Sequence, residues 1–141
     1  MIMIPRVYQP NTPAAEQAGE GFAPPLDAVE KMGKYNAELA KAVKITALEG
    51  LHPLAKGARV SFAGGKAKVT DGPYIEAKEV IGGFWLLEAK SKEQVLEWAQ
   101  RCPAEPGDVL EIRQIFEMSD FAEPMQKAAG NPTAKAKLKK K

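Results

Sequence analysis

One histidine and one aspartate are the residues of this chain best suited to proton-transfer chemistry. His52 is the only histidine among the 141 residues, and an unperturbed imidazole titrates at about pH 6.5, which suits a general acid or base at neutral pH. Asp71 begins the turn Asp71-Gly72-Pro73. If the two side chains meet, the carboxylate would orient the imidazole and stabilise its positive charge. His52 and Asp71 are thus the candidate catalytic pair.

Both residues also have a purely structural interpretation. A histidine that precedes Pro53 at a strand end can simply hydrogen-bond a loop, and Asp, Gly and Pro are common turn formers. Neither Ser61 nor Thr70 stands in a nucleophile motif, so acyl transfer through a triad has no support in the sequence. Isomerisation, lyase chemistry and hydrolysis of a small organic molecule remain open. So does a non-catalytic module that senses a metabolite or docks a protein.

Four further residues are candidates for binding a small-molecule substrate: Arg59, Tyr74, Glu76 and Trp85. Arg59 would hold an anionic group through paired hydrogen bonds, or else form an ion pair with Glu111 across the sheet. Glu76 belongs to a charged connecting segment, for which a solvated surface is the default. The rings of Tyr74 and Trp85 would line a cavity, or pack in the core or in a dimer interface.

Composition limits the cofactors and the compartment. With one His and one Cys, a zinc site of the usual type is not expected, and the glycine pairs lack the spacing of a phosphate-binding loop. We therefore expect neither a metal nor a cofactor. No apolar run approaches the roughly 20 residues that cross a bilayer, and the N-terminal residues lack a secretory pattern. The single Cys102 fits a reducing compartment, so we expect a cytoplasmic protein without membrane contact.

The net charge of +2 conceals an uneven distribution. Six lysines lie within residues 127–141, and without them residues 1–126 carry 14 basic against 18 acidic side chains. An acidic body is a poor nucleic-acid platform, so binding to nucleic acid is not expected beyond weak contact by the tail.

The elements that must position the candidate residues alternate between strands and helices. Apolar patterning predicts strands at 2–8, 45–51, 58–62, 66–70, 82–88 and 109–116. One helix is expected to begin near Asp27, and a second is opened by the capping box Ser91-Lys92-Glu93-Gln94 and stopped by Pro103. Residues 9–25 are expected to form a long loop that acts as a lid, a partner-binding segment or a mobile stretch. We divide the chain into a domain of residues 1–123 and a disordered, Lys-rich tail of residues 124–141.

This order of elements predicts an α+β sandwich of the split β-α-β, ferredoxin-like kind, with two helices on one face of an antiparallel sheet. The strand at 82–88 is apolar on both faces, so the face without helices also needs a cover. Pairing of two sheets in a homodimer is the simplest cover, and it would give a dimeric α+β barrel.

A series of short motifs runs in order along the chain. The motifs are Met32-Gly33-Lys34-Tyr35-Asn36, Glu49-Gly50-Leu51-His52-Pro53, Lys56-Gly57-Ala58-Arg59-Val60, Thr70-Asp71-Gly72-Pro73-Tyr74, Glu76-Ala77-Lys78-Glu79, Gly82-Gly83-Phe84-Trp85 and Glu111-Ile112-Arg113. The series resembles the DGPF or YCII-related family of small bacterial proteins from about residue 1 to residue 121, with Tyr74 where the motif has Phe. The resemblance implies a dimeric α+β barrel with a ferredoxin-like protomer. A related branch has a His and an Asp in a cleft, and the matching residues here are His52 and Asp71.

Overall fold

A computed structural model of the chain describes residues 1–73 and 79–129. These residues form six strands and three α-helices, joined by loops that include four short 3-10 turns. The strands are β1 (Ile2–Ile4), β2 (Lys44–Gly50), β3 (Ala58–Ala63), β4 (Lys66–Asp71), β5 (Gly83–Glu88) and β6 (Val109–Glu111). The helices are α1 (Leu26–Ala42), α2 (Lys92–Gln100) and α3 (Glu123–Ala129).

The strands form two antiparallel sheets. Four of them make the main sheet in the order β2-β5-β1-β6, and β3 pairs only with β4 in a separate hairpin. Without the hairpin, the chain order β1, α1, β2, β5, α2, β6 together with this sheet order is consistent with the predicted ferredoxin-like α+β class. The sequence pattern did not predict that the hairpin leaves the main sheet.

The core lies where α1 and α2 meet the main sheet. Tyr35 and Leu39, one helical turn apart on α1, are buried, and they cluster with Trp85 of β5. Val95, Trp98 and Ala99 of α2 pack against the same cluster. The Tyr35 hydroxyl also donates a hydrogen bond to the Trp98 carbonyl oxygen at 2.8 Å, which ties the two helices to each other.

The predicted local signals at turns and caps are largely confirmed. Gly64 and Gly65 both have positive φ values, of 58° and 75°, as the tight two-residue turn of a hairpin requires. The backbone N–H of Gln94 donates to the Ser91 hydroxyl at 3.2 Å, so Ser91 caps α2. Helix α1 begins at Leu26, and Pro25, not Asp27, is at its N-cap position. Asp27 lies in the first turn, where the helix dipole favours a negative charge.

Two predicted strands are shorter in the structure. β1 ends at Ile4, because Pro5 starts a 3-10 turn in which the Tyr8 N–H donates to the Pro5 carbonyl oxygen at 3.1 Å. β6 ends at Glu111, whose partner is Ile2, the first residue of β1. Among the described residues no strand remains to pair with 112–116, although the alternating pattern continues to Phe116.

Residues 9–25 contain no α-helix or strand, as the predicted loop requires, whereas the first residues of the predicted disordered tail are helical. Residues 9–25 include a 3-10 turn, Ala14–Glu16, and the Gln17 side-chain amide donates to the Thr12 carbonyl oxygen at 2.7 Å. The first part of the predicted tail is helical, because α3 occupies 123–129, with Lys127 in the last turn. Residues 130–141 lie outside the described part of the chain. None of the helices in the described ranges is both long enough and apolar enough to cross a membrane.

Candidate functional site

His52 lies in the loop that leaves β2 and leads to the hairpin. The preceding residue, Leu51, is held at both backbone groups: its N–H donates to the Gly82 carbonyl oxygen at 2.9 Å, and its own carbonyl oxygen accepts from the Tyr8 hydroxyl at 2.7 Å. The following residue, Pro53, is buried. The backbone on both sides of His52 is therefore fixed, while the His52 side chain is exposed to solvent.

Asp71 ends β4 at the base of the hairpin, where it pairs with Ala58. The next residue, Gly72, donates its N–H to the Gly57 carbonyl oxygen at 2.9 Å. A Cβ atom built on Gly72 would lie 1.7 Å from the Leu54 carbonyl oxygen, so only glycine fits there. The Gly72–Pro73 peptide bond is cis. The turn that carries Asp71 is thus packed directly on the loop that follows His52.

The structure does not join the two candidate catalytic side chains directly. Within residues 1–73 and 79–129, neither the His52 imidazole nor the Asp71 carboxylate forms a hydrogen bond or an ion pair. Both side chains are exposed. Their backbones are brought to the same loop cluster, while the direct contact between them stays a prediction.

Arg59 is exposed on β3, opposite Thr70 in the hairpin register. Successive side chains of a strand point to opposite faces, so Arg59 lies on the hairpin face away from Asp71 and its partner Ala58. Glu111, the alternative partner of Arg59, belongs to the other sheet and forms an ion pair with Arg113 at 3.6 Å.

Trp85 occupies the core, one of the alternatives that the sequence left open. Its side chain is 4% exposed, and its indole N–H donates to the Asn36 side-chain oxygen of α1 at 2.8 Å. The Tyr35 ring meets the Trp85 ring edge-on, with 6.4 Å between the centroids. The other two candidate binding residues, Tyr74 and Glu76, lie outside the described residues.

Sequence patterns missed the residues that support the His52 loop from the N-terminal side. The Gln9 side chain donates to the Val80 carbonyl oxygen and accepts from the Val80 N–H, both at 2.9 Å. It therefore satisfies both backbone groups of Val80, as a neighbouring strand would. Tyr8, which anchors Leu51, also stacks edge-on against Phe22 with 5.8 Å between centroids. An isolated glutamine in a loop carries no sequence signal for such pairing.

Two surface depressions lie elsewhere on the described part of the chain. The larger, of about 610 Å³, is lined by residues where α1 joins β2, including Lys44, and by Glu88 and Gln94. Lys44 and Gly50 are the two ends of β2, roughly 20 Å apart at the rise of a strand, so this depression is at the opposite end of β2 from His52. The smaller, of about 270 Å³, is lined by Gln114, Ile115, Phe116 and Asp120.

Burial shifts the titration of several side chains in the core. It raises the pKa of Tyr35 to about 12, and the nearby Cys102 adds to this shift. Burial, together with the negative charge of Asp108, raises the pKa of the Cys102 thiol to about 11. A thiol that ionises so reluctantly is a poor nucleophile, which agrees with a packing role for Cys102. No group of three or more His, Cys, Asp or Glu side chains within 1–73 and 79–129 is arranged to hold a metal ion.

The structure is a small α+β protein with antiparallel sheets and two core helices. A loop cluster, which contains the Asp-Gly-Pro turn packed on Leu54, lies at one end of the main sheet. A search of curated proteins found no match for the chain. The family model of the YCII-related domain matches residues 6–119, most of the chain, and the protein belongs to that family.

Proposed function

We propose that this YCII-related protein transfers a proton to or from a small organic molecule at the loop cluster around His52. In this proposal His52 carries the proton and Asp71 positions the imidazole and balances its charge. One observation carries the proposal: the contact of Gly72 with Leu54 fixes the Asp71 turn against the loop that follows His52. General acid–base groups must be held within hydrogen-bond reach of a substrate, and a clamped backbone meets that need.

The solvent exposure of both side chains supports the same proposal. Within residues 1–73 and 79–129 neither side chain has a hydrogen-bond partner, so both keep hydrogen-bonding capacity for a ligand. Catalytic contacts commonly tighten only when a substrate is bound. The substrate would be held between the two side chains, with the anchored Leu51 backbone beneath it. Arg59 is not assigned to the site, because it lies on the other face of the hairpin.

Turnover measurements on matched variants test this function. A panel of small carbonyl, carboxylate and ester compounds would be screened with the wild type and with His52→Ala, Asp71→Asn and the control Glu97→Gln. Glu97 is an exposed acidic residue on α2 that pairs with Arg101 at 3.6 Å, so the control removes a charge away from the loop cluster. We expect activity in the wild type and the control and a loss in both site variants. Full activity in both site variants would reject the catalytic pair.

A non-catalytic role is the second candidate, and the missing bond between His52 and Asp71 favours it. In that case the loop cluster would bind a metabolite without converting it, or would dock a protein. The lone histidine offers a direct probe, because the protein gives a single set of imidazole signals in NMR spectra. A panel compound that moves those signals but is never converted would favour the binding module.

We further propose that the protein is a cytoplasmic homodimer in which two main sheets face each other. On β5, Leu86 points away from the face that carries Trp85, and it remains 36% exposed. Val109 of β6 is exposed as well. An antiparallel sheet with an exposed apolar face favours a second sheet as its cover, and the free Cys102 favours a reducing compartment.

A further inference from the structure

The peptide group that leads into His52 is held by the side chain of Tyr8. The Tyr8 hydroxyl donates to the Leu51 carbonyl oxygen at 2.7 Å, across 43 positions of the chain. That carbonyl belongs to the planar peptide unit that joins Leu51 to His52, so a bond to its oxygen holds the plane from which the His52 backbone continues. The hydroxyl therefore acts on the orientation of His52 through the backbone.

The other side of His52 is restricted by Pro53. The ring of a proline keeps the preceding residue out of the helical conformation and leaves it extended backbone angles. Pro53 is itself buried, whereas His52 is exposed. With the peptide before His52 held by Tyr8 and its own backbone angles limited by Pro53, the direction of the His52 Cα–Cβ bond is set. The imidazole then keeps only the freedom of its two side-chain torsions.

Tyr8 is itself held in place by packing. It ends the 3-10 turn Arg6–Tyr8, in which its N–H donates to the Pro5 carbonyl oxygen at 3.1 Å. Its ring meets the Phe22 ring edge-on, with 5.8 Å between the centroids. Pro5 lies against Gly82, where an added Cβ atom would come 2.4 Å from the Pro5 ring. The hydroxyl is thus presented by a packed ring on a tight turn.

The same packed unit also binds the other backbone group of Leu51. The Gly82 carbonyl oxygen accepts from the Leu51 N–H at 2.9 Å, and the Gly82 N–H donates to the Met3 carbonyl oxygen of β1 at 2.8 Å. Burial raises the pKa of Tyr8 above its ordinary value of 10.0, so the phenol keeps its proton and stays a donor throughout the neutral range.

We infer, on the basis of the proton-transfer function proposed above, that Tyr8 is a positioning residue for His52. Its hydroxyl holds the Leu51–His52 peptide in the orientation that aims the imidazole at the substrate. Without that bond the peptide plane is free to tilt, and the imidazole, several bonds further out, is displaced. A misplacement on the order of 1 Å can lower a catalytic rate by about 100-fold. Tyr8 takes no part in the proton transfer itself.

Removal of single hydroxyl groups separates positioning from stability. Tyr8→Phe deletes the donor and keeps the ring that packs on Phe22. Tyr35→Phe is the matched control, because the Tyr35 hydroxyl also donates to a backbone carbonyl oxygen, that of Trp98, at 2.8 Å in the helical core. Circular dichroism and thermal unfolding would verify that both variants fold, and all assays would be run below their unfolding midpoints.

NMR of the only imidazole in the chain reports its position without any substrate. We expect Tyr8→Phe to shift the carbon-bound proton signals of the His52 ring. It should also speed hydrogen exchange of the Leu51 amide by about fivefold, as for the loss of one hydrogen bond. Tyr35→Phe should leave the imidazole signals at their wild-type positions.

A second variant covers the case in which Tyr8→Phe does not fold. Phe22→Leu removes the ring that supports Tyr8 but keeps the Tyr8 hydroxyl. It should shift the same His52 signals by a smaller amount, and unchanged signals in this variant would then count against the positioning role.

Turnover completes the test. On the first compound of the panel that the wild type converts, Tyr8→Phe should lower kcat by about 10- to 100-fold, and Tyr35→Phe should retain the wild-type kcat.

The contrary outcomes separate the positioning role from the proton transfer. Unchanged imidazole signals in Tyr8→Phe would overturn the role of Tyr8, whatever the activity of that variant. Wild-type kcat in Tyr8→Phe would overturn it too, while a loss in His52→Ala would leave the proton transfer intact. If the signals shift but the wild type converts no compound, Tyr8 still positions His52, and the proton-transfer function is what fails.

Discussion

Gly72 lies so close to Leu54 that an added Cβ atom would come 1.7 Å from the Leu54 carbonyl oxygen. This contact joins the turn after the hairpin to the loop before it. Since Asp71 precedes Gly72 and His52 lies two residues before Leu54, the same contact sets the relative position of the two candidate catalytic backbones. The Gly72 N–H bond to the Gly57 carbonyl oxygen, at 2.9 Å, fixes the second side of the junction.

The first prediction concerns this junction. Gly72→Ala should destabilise the protein by about 1–3 kcal/mol or more, because the new methyl group overlaps rigid backbone. Gly33→Ala is the matched control: Gly33 lies inside α1, and a Cβ atom there meets nothing within 4 Å. It should stabilise the protein by about 0.5–1 kcal/mol, because alanine favours a helix interior. Urea unfolding of the three proteins measures both changes, and equal effects at the two positions would contradict the close contact.

A second prediction concerns the hydrogen bond from the Trp85 indole N–H to the Asn36 side-chain oxygen. Asn36→Ala should cost about 1–3 kcal/mol of unfolding free energy, because it leaves the buried indole N–H of Trp85 without its acceptor. Asn11→Ala, at an exposed loop position, is the control and should change stability by less than about 0.5 kcal/mol. Thermal unfolding followed by tryptophan fluorescence compares the two. A loss at Asn11 as large as that at Asn36 would argue against this bond.

A third prediction follows from the titration of Cys102. Burial and Asp108 raise the pKa of this thiol from 9.0 to about 11, so between these values the unfolded chain loses the thiol proton while the folded chain keeps it. The thiol's contribution to stability should therefore be complete below pH 9 and disappear as the pH rises towards 11. Iodoacetamide alkylation of the folded protein should show its inflection near pH 11, whereas protein unfolded in guanidinium should react with an inflection near pH 9. The same inflection in both states would show that the thiol is not buried.

The sequence predicted those features that depend on local chemistry. The Ser91 cap, the Gly64-Gly65 turn and the helical face of Tyr35 and Leu39 are each set by residues within a turn or two of one another. Such signals are readable because the responsible side chain and the backbone group that it serves are near neighbours in sequence.

The features that sequence patterns missed depend on distant partners. Residues 112–116 alternate like a strand, yet β1 offers no partner beyond Ile2, so pairing stops at Glu111. Gln9 pairs with Val80 across 71 positions in the chain, and no property of either residue indicates the other. The candidate site was only partly predictable for the same reason. The types and spacing of residues indicated His52 and Asp71. Only the folded chain shows the close contact between Gly72 and Leu54 that joins their loops.

The catalytic turnover of His52→Ala and Asp71→Asn, compared with Glu97→Gln and the wild type on the first converted substrate, tests the central claim most directly. Loss of a general acid or base should lower kcat by about 10²–10⁴-fold in His52→Ala, with a smaller loss in Asp71→Asn and none in Glu97→Gln. A His52→Ala protein that retains the wild-type kcat would contradict proton transfer by His52.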